Sequence, residues 1–185
     1  MNDHQSLRNL VLASLMAALI SVGGYMAIPI GPVPIVLQNL FVLVAALLLG
    51  SKWAAASVAV YLVAGACGLP VFATGGGGLG HLLGPRGGYL FGFLACAWIA
   101  GLISEHFKQR PIPEIIAMVV GSLVIYAIGV PWLKFVLGLS FSKAAVLGMY
   151  PFLVGDALKI VAAAFIVKSI RPLLGFSRTP VHANL

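Results

Sequence analysis

Apolar residues run in long stretches along this chain, broken by Pro, Gly and isolated basic residues. A bilayer core of about 30 Å takes about 20 apolar residues per helix. Runs near 8–28, 34–50, 53–68, 88–107, 112–134 and 151–171 therefore predict six transmembrane helices. The second and third are short and joined by Gly50-Ser51-Lys52, which suits a tight hairpin or one partly re-entrant span. The expected fold is an all-α membrane protein: a single six-helix transmembrane domain over 1–174 and a short cytoplasmic tail over 175–185.

Composition supports the same solvent. Hydrophobic residues make up 61% and charged residues 8% of the chain, with mean hydropathy +1.09, whereas a soluble domain carries roughly 25% charged residues. The net charge of +7 comes from basic residues scattered singly rather than gathered in a stripe, which argues against nucleic acid. With both termini cytoplasmic, the inner side collects Arg8, Lys52, Lys108, Arg110, Lys168, Arg171 and Arg178, seven of the eleven basic residues. Arg86, Lys134, Lys143 and Lys159 fall toward the outer side. The apolar run after Arg8 is too long for a signal-peptide core and continues into Tyr25-Met26-Ala27-Ile28-Pro29 without a small-residue cleavage site, so helix 1 is expected to stay in the mature protein. Cys67 and Cys96 lie in apolar stretches with no CxxC and read as buried thiols.

The segment from Gly68 to Tyr89 is rich in Gly and Pro yet carries Phe72, Leu79, Leu82 and Leu83. It predicts an irregular outer loop between helices 3 and 4, and irregular backbone at membrane depth belongs where it packs on protein or lines a cavity. No GxSxG, HExxH or Gly-Lys-Ser/Thr ending is present, so neither catalysis nor ATP hydrolysis is expected of this chain, and no cofactor. The strongest chemical feature is Pro151-Phe-Leu-Val-Gly-Asp156-Ala-Leu-Lys159, where a carboxylate and an ammonium three residues apart share one face of an apolar helix. Charges at that depth are costly and mark function unless they only fix packing. Arg86, between glycines at the entrance to helix 4, could clamp a carboxylate or sit solvated in the loop. Tyr89, Tyr126, Tyr150, Trp132, Gln38 and Asn39 lie near outer helix ends and could line a ligand pocket. His81 is a lone histidine and suggests no metal. Ala13 and Ala17, with Ser14 and Ala18 beside them, place small residues on helix 1 for close approach, either within the bundle or by a membrane partner.

Six motifs in order then carry a resemblance: Gly31-Pro-Val-Pro-Ile-Val-Leu-Gln38-Asn39-Leu-Phe41, Gly68-Leu-Pro-Val-Phe72, the Gly75 to Gly80 run, Leu83-Gly-Pro-Arg86-Gly-Gly-Tyr89-Leu-Phe-Gly-Phe93, Tyr126-Ala-Ile-Gly-Val-Pro-Trp132 and the Pro151 to Lys159 segment. Over roughly 8–172 the chain resembles the BioY family, the biotin-binding S (substrate-capture) subunits of energy-coupling factor (ECF) transporters. Asn39 and Val154 stand where many members carry Thr and Pro. The resemblance implies high-affinity biotin uptake across the bacterial inner membrane, with Asp156, Lys159, Arg86, Tyr89, Gln38, Asn39 and Tyr150 as ligand contacts. It further implies docking through Ala13 and Ala17 on a transmembrane coupling subunit joined to two ATPases, with the lipid bilayer as surroundings. Asp156 would accept from the ureido ring, and either Arg86 or Lys159 would meet the biotin carboxylate. A capture subunit for another vitamin, a solitary biotin transporter, a membrane enzyme and a ligand-free structural partner are the competing readings.

Overall fold

The structure, a computed structural model, describes residues 2–28 and 32–174, and of residues 2 and 3 the backbone alone. The expected tail 175–185, with Arg178, and the motif residue Gly31 lie outside the described residues. Helix α1 spans Asn2–Tyr25. A small antiparallel ribbon follows, β1 at Ala27–Ile28 and β2 at Ile35–Val36, pairing Ala27 with Val36 and Ile28 with Ile35. Helix 1 thus ends before residue 28, and residues 34–37 belong to the ribbon and its exit rather than to a span.

Helix α2, Gln38–Ala66, is two arms joined at Gly50, whose φ of 76° and ψ of 179° lie outside the helical region. Gln38 Nε2 donates to the Tyr61 hydroxyl at 2.7 Å across 23 residues. A straight helix would hold those residues about 35 Å apart at 1.5 Å per residue, so the chain reverses at Gly50. The positive φ favours glycine, and a Cβ at this position would meet Glu105 Oε1 at 2.0 Å. Glu105 occupies that space because its carboxylate accepts from the Ser51 amide at 2.9 Å and the Ser51 hydroxyl at 2.8 Å. These contacts cap the start of the second arm.

Beyond the hairpin, a 3-10 turn at Ala73–Gly75 and the five-residue α3, Leu79–Leu83, give the Gly-rich segment local order where an irregular loop is expected. Helix α4, Gly87–His106, descends and α5, Pro111–Leu137, returns, ending on Gly138 in the left-handed conformation. The short α6, Phe141–Gly148, which the hydropathy pattern does not separate from its neighbours, precedes a 3-10 turn at Tyr150–Phe152. Helix α7, Leu153–Leu173, therefore starts just after Pro151 rather than at it. Among the described residues five helical stretches are long and apolar enough to cross a membrane; the reversal inside α2 makes six passes of them.

The first arm of α2 is the central element. Val42, Leu43, Val44, Ala45, Ala46, Leu47 and Leu48 are all buried, although α2 has no polar face to set against them. Helices α1, α4 and α7 and the second arm enclose it. Close approach rests on missing side chains: a Cβ at Gly101 of α4 would lie 2.5 Å from Ser51, and one at Gly92 would lie 3.0 Å from the Ile125 backbone of α5. The outside is apolar, with Val11, Leu15, Val63, Trp98, Leu123 and Phe165 exposed, as suits a hydrocarbon solvent. Cys96 is buried as expected, but Cys67 is exposed, because it caps α2 where the helix leaves the bundle.

Gln38, Ala66, Gly87, Leu137 and Leu153 all sit at one end of the bundle, here the loop-rich end; Gly50, His106, Pro111 and Leu173 sit at the opposite, turn end.

Candidate functional site

A small cavity of about 70 Å³ opens at the loop-rich end, lined as small-molecule sites are, mainly by apolar side chains with a few convergent polar groups. Its floor is built by three helices. Asp156 lies in the first turn of α7, Lys159 one turn further on, Asn39 in the first turn of α2 and Tyr126 on α5. Asp156 Oδ1 accepts from Asn39 Nδ2 at 2.7 Å and from Lys159 Nζ at 3.0 Å, and its Oδ2 accepts from the Tyr126 hydroxyl. Asp156, Lys159 and Asn39 are each only 7% exposed. The first turn of a helix favours a carboxylate, and the ammonium neutralises it, which together offset part of the cost of burying both charges. One polar atom in the group is left open: Asn39 Oδ1 is buried and has no partner.

The walls are apolar, formed by Phe72, Leu90, Phe93, Ile125 and Phe152. Tyr89 is held by donating to the Gly148 carbonyl at 2.8 Å, which ties α6 to α4. Gln38 is fixed from behind by Tyr61. Arg86 ties the two loops that roof the cavity. Its Nε donates to the Pro32 carbonyl at 3.2 Å, and Nη1 reaches the Ala73 carbonyl and Thr74 Oγ1 at 3.5 Å each. Thr74 has φ 64°, a costly conformation for a β-branched residue that aims its hydroxyl at this guanidinium. His81 lines the same space with Nδ1 2.8 Å from the Gly77 carbonyl. Among the described residues no group of three His, Cys, Asp or Glu side chains is placed to hold a metal.

Of the residues singled out from sequence as ligand contacts, the structure brings Gln38, Asn39, Arg86, Tyr89, Asp156 and Lys159 to one cavity. Tyr150 is 56% exposed and lies outside the lining, because the 3-10 turn that carries it points it away from the bundle. Ala13 and Ala17 are buried within the chain rather than presented to a partner. Their small side chains are used by the packing of α1 on the bundle, and the small pair left exposed on that helix is Ser14 and Ala18.

The sequence reading includes Phe93 and Phe152 in its motifs but singles out neither of them, nor Ile125, as a ligand contact. Phe93 was within reach of it, being one helical turn beyond Tyr89 and so on the same face. The union of Tyr126 with Asp156 had no such signal, since 30 residues separate them.

Six passes around a polar-floored, apolar-walled cavity define a multi-pass membrane protein with a small-molecule pocket. The sequence model of the BioY family matches residues 1–176. The biotin transporter BioY of Thermotoga maritima is 43% identical over 167 residues, covering 90% of this chain and 98% of its own. A probable biotin transporter BioY of Pyrococcus horikoshii is 42% identical over 160 residues, covering 86% and 94%. The crystal structure at 2.1 Å of the S-component for biotin from an ECF-type ABC transporter superposes with TM-score 0.86 at 32% identity, over 93% of this chain and 95% of that one. The chain belongs to the BioY family, a family of transporters and not of enzymes.

Proposed function

We propose that this chain captures biotin at the loop-rich end of the bundle and is the S-component of an ECF-type biotin uptake system. The observation that carries the reading is the separation of two polar poles by apolar walls: Asp156, Asn39 and Lys159 at the buried floor, and Arg86 in the roof. Biotin has the matching polarity. Its ureido group offers two N–H donors and a carbonyl at one end, and a valeric tail ends in a carboxylate at the other.

The open Asn39 Oδ1 and the remaining acceptor capacity of Asp156 suit the two ureido N–H groups. Lys159 has N–H donors beyond the one spent on Asp156, enough for the ureido carbonyl. Because that ammonium already neutralises a buried carboxylate, the tail carboxylate falls to Arg86, which is less buried and lies at the mouth. The bicyclic ring and tail then cover Phe72, Phe93, Ile125 and Phe152.

Charge supports an orientation. Arg8, Lys52, Lys108, Arg110, Lys168 and Arg171 all lie toward the turn end, and an excess of basic residues on one side favours that end and both termini in the cytoplasm of a bacterial inner membrane, with the cavity opening outward. The exposed face of α1, with Ser14 and Ala18, is then the surface for a transmembrane coupling subunit that joins two ATPases. The test is equilibrium binding of labelled biotin to the purified protein in detergent, with a panel of other vitamins alongside. Tight and selective binding of biotin is the expected result; binding of another vitamin in its place overturns the reading.

A further inference from the structure

At the turn end, an open cleft of about 880 Å³ lies between α5 and α7. Its polar end holds Glu114, Lys168 and Arg171, and its apolar length holds Ile115 of α5 with Ile160, Val161, Ala164 and Phe165 of α7. Arg171 is buried and its Nη2 is committed, donating to Glu114 Oε1 at 2.5 Å and to the Leu47 carbonyl at 2.9 Å. Glu114 also accepts from Ser104 at 3.4 Å, so its charge is answered from inside the bundle. Arg171 Nε, by contrast, is buried without any acceptor. One turn before it, Lys168 is exposed and has no hydrogen-bond or ion-pair partner among the described residues. The three charges sum to one positive charge facing the cleft.

From these observations we infer that the cleft between α5 and α7 binds an anionic phospholipid, with its phosphate on Lys168 and Arg171 Nε and an acyl chain along Phe165, Ala164, Val161 and Ile160. Three features select this occupant. An unpaired buried N–H needs an acceptor, and a phosphate oxygen between a guanidinium and an ammonium supplies it with charge assistance. The cleft is amphiphilic along its length: cationic at the turn end and apolar above. From Ile160 to Pro172 the α7 wall runs about 18 Å at 1.5 Å per residue, close to the roughly 15 Å of one leaflet of hydrocarbon. Val161 and Phe165 are 53% and 66% exposed, so the apolar wall stands open to that leaflet. Basic pockets between transmembrane helices on the cytoplasmic side are a recurrent way of holding anionic head groups.

The test is native mass spectrometry of the full chain released from micelles that contain equal phosphatidylglycerol and phosphatidylcholine with matched acyl chains. One phosphatidylglycerol per chain is expected to be retained, preferred by about fivefold or more, and Lys168→Ala is expected to cut that preference about fivefold. Lys52→Ala, at the same end but outside the cleft, leaves the preference unchanged, and Ala164→Trp, which fills the apolar length, lowers retention of both lipids. Equal retention of the two lipids by the wild type, or an undiminished preference in Lys168→Ala, overturns the proposal. Displacement of the lipid by millimolar inorganic phosphate would assign the site to free phosphate, and a second protein chain retained in place of lipid would assign it to a protein segment; either result overturns it as well.

Discussion

Asn39 donates to Asp156 at 2.7 Å across 117 residues of sequence, joining the first turn of α2 to the first turn of α7 beneath the cavity. Asp156 is thereby the acceptor for three donors from three helices: Asn39, Tyr126 and its own neighbour Lys159. Replacing it with Asn keeps the shape but strands the Lys159 ammonium in a buried site. Breaking a buried pair from one side costs about 3–5 kcal/mol. Asp156→Asn is expected to lower the unfolding temperature in detergent and to weaken biotin binding at least about a hundredfold. The double variant Asp156→Leu/Lys159→Met removes both charges, so most of the stability should return while binding stays lost. Thermal unfolding and labelled-biotin binding on the same preparations separate the two effects.

Tyr126 lines the cavity and donates its hydroxyl to Asp156 Oδ2. Tyr126→Phe leaves the ring in place and removes that donor, which is expected to weaken biotin binding about tenfold, the scale of one hydrogen bond to a charged group. Unchanged affinity would mean that Asp156 is held in place by Asn39 and Lys159 alone.

How far the site was legible depends on distance along the chain. Asp156 and Lys159 could be paired from sequence because a helix puts residues three apart on one face, and the six passes could be counted because lipid demands long apolar runs. Gly50 was legible as a turn, but not the Glu105 carboxylate that fills the space beside it, since helix periodicity says nothing about partners 54 residues away. The same holds for Arg171, which reads as a topology signal and proves to be buried against Glu114, 57 residues away. Two-residue strands such as β1 and β2 carry no periodicity at all, so residues 34–37 looked like the start of a span. Ala13 and Ala17 were seen as small residues, but which flank of α1 faces the bundle is a property of the packing.

The reversal at Gly50 has its own consequence. Alanine there must hold φ near 76°, a cost of about 1–2 kcal/mol, and must also displace Glu105 from Ser51. Gly50→Ala is therefore expected to lower stability by roughly 2–4 kcal/mol, the strain plus one lost cap. Glu105→Ala loses the cap alone. The double variant loses the cap only once, so its cost should fall short of the sum of the singles by about 1–2 kcal/mol. Unfolding of the four proteins in detergent gives the cycle, and strict additivity would show that Glu105 does not respond to position 50.

Among the described residues, Arg86 and Lys159 are the two Arg or Lys side chains lining the cavity, and a ligand with its carboxylate replaced by an amide tells them apart. Lys159 is 3.0 Å from Asp156 and spent on its charge; Arg86 holds only neutral oxygens, on Pro32, Ala73 and Thr74. Wild type is expected to bind biotin more tightly than its primary amide by about tenfold or more, the scale of a charge-assisted hydrogen bond. In Arg86→Ala that preference should collapse, with biotin affinity falling and amide affinity changing little beyond what the loosened roof costs both ligands. A preference that survives in Arg86→Ala would move the carboxylate to Lys159 and turn the ligand end for end, with the ureido ring beneath the roof. An equal loss for both ligands would instead leave Arg86 as the tie between the 32–36 and 72–86 loops, a positioning residue with no charge contact to the tail.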